Sequence, residues 1–291
     1  MTVPASWTAL PIIPAAPGWW GGNTHVYVER TGEGEVVHRL ARAHRARVMP
    51  FDASADLVGA LASAGLGPEL VSSEPGHLVT RCLEPGAIVL NHTRIREHGL
   101  IGRVLGMHRA VAALDVAVPV LDPVAEVERL LGVLTDLGTT LPYGGDEAAR
   151  LVLDSRDALT ATEAAVPSLG DAAATNLLLL PDGSLQAVGG TLACAVDPAY
   201  TAGALLAEYA PYLGSPEELF MDVWGGWDAA AYRRARLFGL VDDVRWAAIS
   251  RIAAVLADNP GFVASHTGNL RVKHAVATMH DPELESWRVA A

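Results

Sequence analysis

Cysteine is almost missing from this chain: there are two, Cys82 and Cys194, far apart in sequence. That excludes a disulfide framework and offers no zinc-ligand spacing, so a reducing, cytoplasmic compartment is expected. Basic charge is scarce as well. The 21 Lys and Arg stand against 33 Asp and Glu, a formal net charge of -12. A nucleic-acid backbone needs cations to neutralise it, so nucleic acid is not the expected partner. An acidic surface suits cationic ligands, and it serves solubility equally well. No stretch reaches the roughly 18 uninterrupted apolar residues of a membrane span, so no membrane partner is expected. The first twenty residues hold four prolines and no basic cluster, which makes a poor secretory leader. HExxH, CxxC, Walker, Gly-x-Ser-x-Gly and dinucleotide-binding Gly-x-Gly-x-x-Gly patterns are all missing, and the histidines are too scattered for a zinc site.

What is present is a folding sequence. With 51% hydrophobic and 19% charged residues over 291 positions, it can bury a large core as one unit or two packed lobes. Residues 1–18 form a Pro-rich lead-in to the glycine-rich turn Gly18-Trp19-Trp20-Gly21-Gly22-Asn23. His25–Arg30 and Glu35–Leu40 alternate as strands around Thr31-Gly32-Glu33-Gly34, which predicts a hairpin. Helical spacing over 53–64 places Leu57, Val58, Leu61 and Ala64 on one face, with Gly65 where a helix-ending glycine belongs. Glu69–Ser72 and His77–Cys82 read as two more strands.

From residue 94 the period changes to helical. Helices are expected at Ile95–Ala113, Val124–Leu137 and Gly145–Ala165, then at Ala202–Tyr212, Ala229–Phe238, Val241–Asp258 and Arg271–Met279. Between the two groups, Asn176–Leu180 and Ser184–Val188 flank the turn Pro181-Asp182-Gly183 as a hairpin. The predicted class is α+β, with a β-rich lobe at 1–86 including a hinge, a helical lobe at 87–291, and a cleft between them. Trp224-Gly225-Gly226-Trp227 reads as an aromatic turn amid Glu217, Glu218, Asp222 and Asp228. It suits either cleft lining for a cationic ligand or the packing of a solvated interhelix loop.

Leu169-Gly170-Asp171-Ala172-Ala173-Ala174-Thr175-Asn176, with the hairpin after it, resembles the catalytic loop of the aminoglycoside phosphotransferase and choline kinase superfamily. That family has a protein-kinase-like, two-lobed fold. Its motif is His-Gly-Asp, four residues, then Asn. The resemblance covers about residues 18–257 and implies that Asp171 receives the proton of an attacking hydroxyl and that Asn176 holds magnesium. Phosphoryl transfer is mostly positioning and charge stabilisation, so a carboxylate and a metal-binding oxygen flank one short loop. The family's second metal ligand is an Asp ending the hairpin, eight residues before an Asp-Pro-Ala-Tyr-Asp segment. Here Asp197-Pro198-Ala199-Tyr200-Thr201 is found, and counting back eight lands on Gly189. Leu169, Gly189 and Thr201 thus stand where the family carries His, Asp and Asp.

In the N-terminal lobe the resemblance assigns Gly21 and Gly22 to a nucleotide-covering turn, which an ordinary hairpin entry explains as well. It makes Arg39 the phosphate-gripping cation and Asp56 its helix partner. The same two residues also read as a surface arginine and a solvated helix aspartate. Arg81, Cys82 and Leu83 fall where family backbone groups bind adenine. His108, in Leu105-Gly106-Met107-His108, is expected to be structural.

Magnesium needs hard oxygen ligands, so ATP and magnesium are expected to bind weakly or not at all. Three functions follow from the resemblance. One is a pseudokinase-like protein binding a small molecule or peptide, cationic ligands included, or serving a protein partner. Another is a repurposed enzyme using Asp171 without the metal. The third is an active ATP-dependent small-molecule kinase with a displaced ligand, for which Asp197 is the nearest later carboxylate.

Overall fold

The computed structural model describes residues 3–9, 24–49, 54–82, 86–160, 163–190, 192–256 and 261–289. Gly21, Gly22 and Leu83, together with Trp19 and Trp20, lie outside them. The first lobe opens with β1 (Thr8–Ala9), β2 (Thr24–Thr31) and β3 (Gly34–Ala41). The short α1 (Arg45–Val48), α2 (Ser54–Ser63), β4 (Leu70–Glu74) and β5 (His77–Arg81) follow. The five strands form one antiparallel sheet in the order β1-β2-β3-β5-β4. The expected hairpin is there, and Gly65 ends α2 at φ +70°, a conformation that costs glycine little.

The chain then enters β6 (Ile88–Val89), α3 (His92–Glu97), α4 (Ile101–Ala112), α5 (Pro123–Asp136) and α6 (Gly145–Asp154). Next come β7 (Val166–Ser168), β8 (Leu177–Leu179), β9 (Leu185–Ala187) and β10 (Cys194–Val196). The last elements are α7 (Pro198–Leu213), α8 (Pro216–Trp224), α9 (Ala229–Leu256), α10 (Gly261–Met279) and α11 (Leu284–Val289). β6 pairs with β8, and β8 with β9; β10 pairs with β7. These two small sheets hold both ends of the loop carrying Asp171.

Several helix boundaries differ from expectation. The helix foreseen at 95–113 is two, because Gly99 turns the chain at φ +60° and Asn91 caps the earlier piece through Arg94 N–H. The helix foreseen to reach 165 stops at Asp154; the Ser155 hydroxyl bonds back to Leu151 O, and the chain turns toward β7. The two helices foreseen on either side of Gly239 are one. A Cβ on Gly203 of α7 would lie 2.3 Å from Ala235 O and 2.7 Å from Gly239 N. Gly239 is therefore a contact point that lets α7 and α9 cross closely, and it does not break α9. Residues 216–224 form α8, capped by Ser215 through Glu218 N–H and ended by Gly225 at φ +87°. The Trp224–Trp227 turn lies directly after it.

The lobes meet at α2. Leu57 and Leu61 are fully buried in one core with Leu177, Ala187 and Leu169. Ala187 N–H donates to Leu66 O at 2.7 Å. Arg129 of α5 donates to the carbonyls of Arg47 and Val48 at 2.9 and 3.1 Å, tying α1 down. Among the described residues, no helix is long and apolar enough to cross a membrane.

Candidate functional site

Asp171 sits on a loop whose backbone is bonded at nearly every step. Gly170 adopts φ +66°, and its N–H donates to Ser168 Oγ at 3.1 Å. Its carbonyl accepts from Arg245 at 3.0 Å. Ala172 O accepts from the buried Tyr209 hydroxyl at 2.9 Å. Asp171 Oδ1 accepts from Ala173 N–H at 2.9 Å, and the Asn176 side chain lies near enough to favour the charged form of the same carboxyl. Burial pushes the Asp171 carboxyl above the ordinary range. The Ala173 and Asn176 hydrogen bonds oppose that rise, the Glu208 charge adds to it, and Arg271 opposes it.

The structure thus places Asp171 and Asn176 side by side. Gly189 lies against Asn176. A Cβ there would meet Asn176 Cβ and Cγ at 2.8 Å and Oδ1 at 2.9 Å. Val188 and Gly189 N–H both donate to Asn176 O, at 2.8 and 3.3 Å. On the far side, a Cβ at Gly190 would stand 3.2 Å from Val58 Cγ2 on α2. The segment is wedged between Asn176 and α2, and the place of a Cβ at position 189 is taken by Asn176.

These residues do not fit a magnesium site. Position 189 supplies no side-chain oxygen, so the carboxylate that would share an ion with Asn176 is missing. Among the described residues, no group of three or more His, Cys, Asp or Glu is arranged around an ion. Asp197 does not fill the gap. Its Oδ1 caps α7 through Ala199 N–H at 2.8 Å, and its Oδ2 pairs with buried Arg234 at 2.6 Å. Leu169 is 1% exposed and belongs to the core. Thr201 Oγ1 approaches Ser168 Oγ at 3.4 Å, behind the loop.

The other sequence-derived positions are scattered. Arg39 on β3 donates to Thr80 Oγ1 at 3.1 Å, and burial pushes its guanidinium down to about 10. Asp56 lies exposed in the first turn of α2, and among the described residues no ion pair joins it to Arg39. Arg81 is held by Glu33 and Glu69 at 3.2 and 3.4 Å on the sheet surface. Cys82 spends its N–H on Glu35 O at 2.9 Å. His108 is buried, and burial pushes it down to about 4, so it is neutral. Glu217 accepts from the Tyr232 hydroxyl at 2.7 Å and Asp228 caps α9, so both acids have structural work.

Sequence reasoning missed a buried charge network behind the loop. Arg271 of α10 bridges Glu208 at 2.5 Å and Asp243 at 3.1 Å. Glu208 also faces His92 at 3.1 Å, and Asp243 faces His274 at 2.6 Å. Burial alone would raise the Glu208 carboxyl; Arg271 and His92 outweigh it and hold it down to about 2. The available signal was the presence of Glu208, Asp242, Asp243 and Arg245 on otherwise apolar helical faces, since such charges stay inside only when paired.

Asp242 supplies a pH test. Burial pushes it up to about 6 against the pull of Arg271, Arg245 and the Tyr200 hydroxyl, with Asp243 adding to the rise. Between the unfolded value near about 4 and about 6, the folded chain holds a proton that the unfolded chain has released. That stability is present in acid and is lost as pH rises through the folded value. Urea unfolding of the native chain and Asp242→Asn is expected to show the native chain losing stability relative to the variant between about pH 4 and 7. A pH-independent difference would contradict the assignment.

No protein-family model matches the chain, and no curated protein matches it by sequence. Solved structures do. A choline/ethanolamine kinase family protein from Mesorhizobium loti aligns over 95% of this chain and 92% of its own, with TM-score 0.74 and 23% identity. The choline kinase LicA from Streptococcus pneumoniae aligns over 93% and 94%, with TM-score 0.68 and 14% identity. A thermostable mutant of the aminoglycoside phosphotransferase APH(4)-Ia, in ternary complex with ADP and hygromycin B, aligns over 95% of both chains, with TM-score 0.61 and 13% identity.

Proposed function

We propose that this chain, which has the two-lobed α+β fold of choline kinases and aminoglycoside phosphotransferases, is a phosphotransferase-like protein whose cleft binds a small molecule or peptide without organising magnesium. One observation carries this reading. Position 189 is glycine, and a Cβ there would meet Asn176 Cβ and Cγ at 2.8 Å. In the family resemblance, the Asn176 amide and a carboxylate at 189 would share the ion. Here position 189 brings no carboxylate, and Asn176 stands where the first carbon of that side chain would be.

Adenine nucleotide remains a candidate ligand on the strength of the fold. Arg39 supplies a partly buried cation for its phosphates, and no carboxylate is paired with that cation among the described residues. An ordinary ATP-dependent small-molecule kinase is the competing reading. It would need a second metal ligand, and Asp197 has both oxygens engaged. A repurposed enzyme has an observation of its own in favour. The Asp171 carboxyl is raised by burial, which brings it nearer the range where a carboxylate works as an acid or base.

The test is ATP turnover with magnesium, in the presence of choline, ethanolamine and aminoglycosides, beside Asp171→Ala. The expected result is no turnover above that variant. Turnover that disappears with Asp171→Ala would establish the kinase reading and overturn this one.

A further inference from the structure

We propose that Arg245 is the positioning residue for Asp171, fixing the peptide between Gly170 and Asp171 from within the core of the helical lobe. This rests on the reading of Asp171 as the centre of the site. Arg245 is 1% exposed on α9. Its Nη1 donates to Gly170 O at 3.0 Å and to the Tyr200 hydroxyl oxygen at 3.3 Å. Tyr200 donates to Asp242 Oδ1 at 2.8 Å. The nearest carboxylate oxygen to Arg245, also Asp242 Oδ1, is 3.8 Å away, beyond hydrogen-bond reach. Arg245 Nε has no acceptor among the described residues.

A guanidinium buried for an ion pair would spend its fork on a carboxylate. This one spends its short contact on a neutral loop carbonyl and leaves Nε unpaired. Burying a charge costs several kcal/mol unless it is compensated, and an apolar side chain would fill the volume without that cost. A long cationic donor here faces the Tyr200–Asp242 pair and at the same time reaches Gly170 O, its shortest contact.

The grip matters because of what Gly170 is. A glycine at positive φ can rotate its peptide cheaply, and rotation of the 170–171 peptide changes φ of Asp171 and swings its carboxylate. In a planar trans peptide, O and H point oppositely. Anchoring Gly170 O toward α9 therefore turns the Asp171 N–H away from it and fixes the side-chain direction. Ser168 Oγ holds the other end through Gly170 N–H. Leu169 and Thr201, standing where the family carries ionisable groups, do not bond the backbone of this loop among the described residues. Of the buried side chains that bond this loop's backbone, Arg245 of α9 holds the Gly170 carbonyl and Tyr209 of α7 holds that of Ala172.

The test reads Asp171 itself and needs neither ligand nor turnover, so it can fail independently of the functional reading. Aspartate-labelled protein is titrated by carbon-13 NMR, with Asp171 assigned through Asp171→Asn. Arg245→Met removes the donor at similar length, and Arg245→Lys keeps a cation that can reach one acceptor. With the peptide released, Asp171 gains water and loosens its Ala173 bond, and its midpoint in Arg245→Met is expected to shift by about half a pH unit or more. Arg245→Lys is expected to restore part of the difference. A cooperatively folded Arg245→Met with the native Asp171 midpoint would overturn the proposal. Should neither variant fold, hydrogen exchange of the unmodified chain decides. Protection of the Gly170 and Ala173 amides equal to that of α9 upholds it, and exchange at open-loop rates overturns it.

Discussion

Replacing Gly170 with alanine is expected to destabilise the chain by about 4 kcal/mol, from two penalties that add. The first is the backbone. Gly170 sits at φ +66°, where a side chain brings Cβ against the backbone. The second is contact. A Cβ at this position would stand 2.0 Å from Leu192 O and 2.8 Å from Leu192 C. Those are backbone atoms of the segment entering β10, which is paired with β7, so they cannot swing aside as a side-chain tip could. The expected fall in melting temperature is roughly 8 °C or more, read by calorimetry or circular dichroism. An unchanged melting temperature would mean that the loop does not have this geometry.

Gly189→Asp is expected to behave as an overpacking mutation and not as the repair of a metal site. Its Cβ would meet Asn176 Cβ and Cγ at 2.8 Å, and overpacking of this kind costs about 2 kcal/mol, roughly 4 °C in melting temperature. Asn176→Ala removes Cγ and Oδ1 and keeps Cβ. Gly189→Asp should therefore cost less in that background, with a coupling of about 1 kcal/mol between the positions. Magnesium is expected to leave the melting temperature of Gly189→Asp unchanged. A variant as stable as the native chain, and stabilised further by magnesium, would mean that the space at 189 is open.

Much of this site could be read from residue order. Asp171 and Asn176 keep a loop spacing, and the Asp197-Pro198 segment located position 189 by counting. What the letters could not carry is direction. Nothing in the sequence says that Gly189 is wedged against Asn176 with α2 behind. Helix boundaries failed for a related reason. Gly99 and Gly239 look alike as breakers, but Gly99 adopts positive φ and ends a helix, whereas Gly239 meets Gly203 and lets two helices touch. Only the partner helix distinguishes them. The Glu208, Asp242, Asp243, Arg245 and Arg271 network was hidden because its members lie on three helices, α7, α9 and α10, that are distant in sequence and adjacent in space.

The central claim is that this chain lacks magnesium organisation because position 189 brings no carboxylate and packs against Asn176. Isothermal titration of the native chain with ATP, once with excess magnesium and once with a chelator, tests it most directly. The predicted result is the same isotherm in both conditions, whether it shows weak binding or none. Tighter binding by tenfold or more with magnesium, about 1.4 kcal/mol, would contradict it.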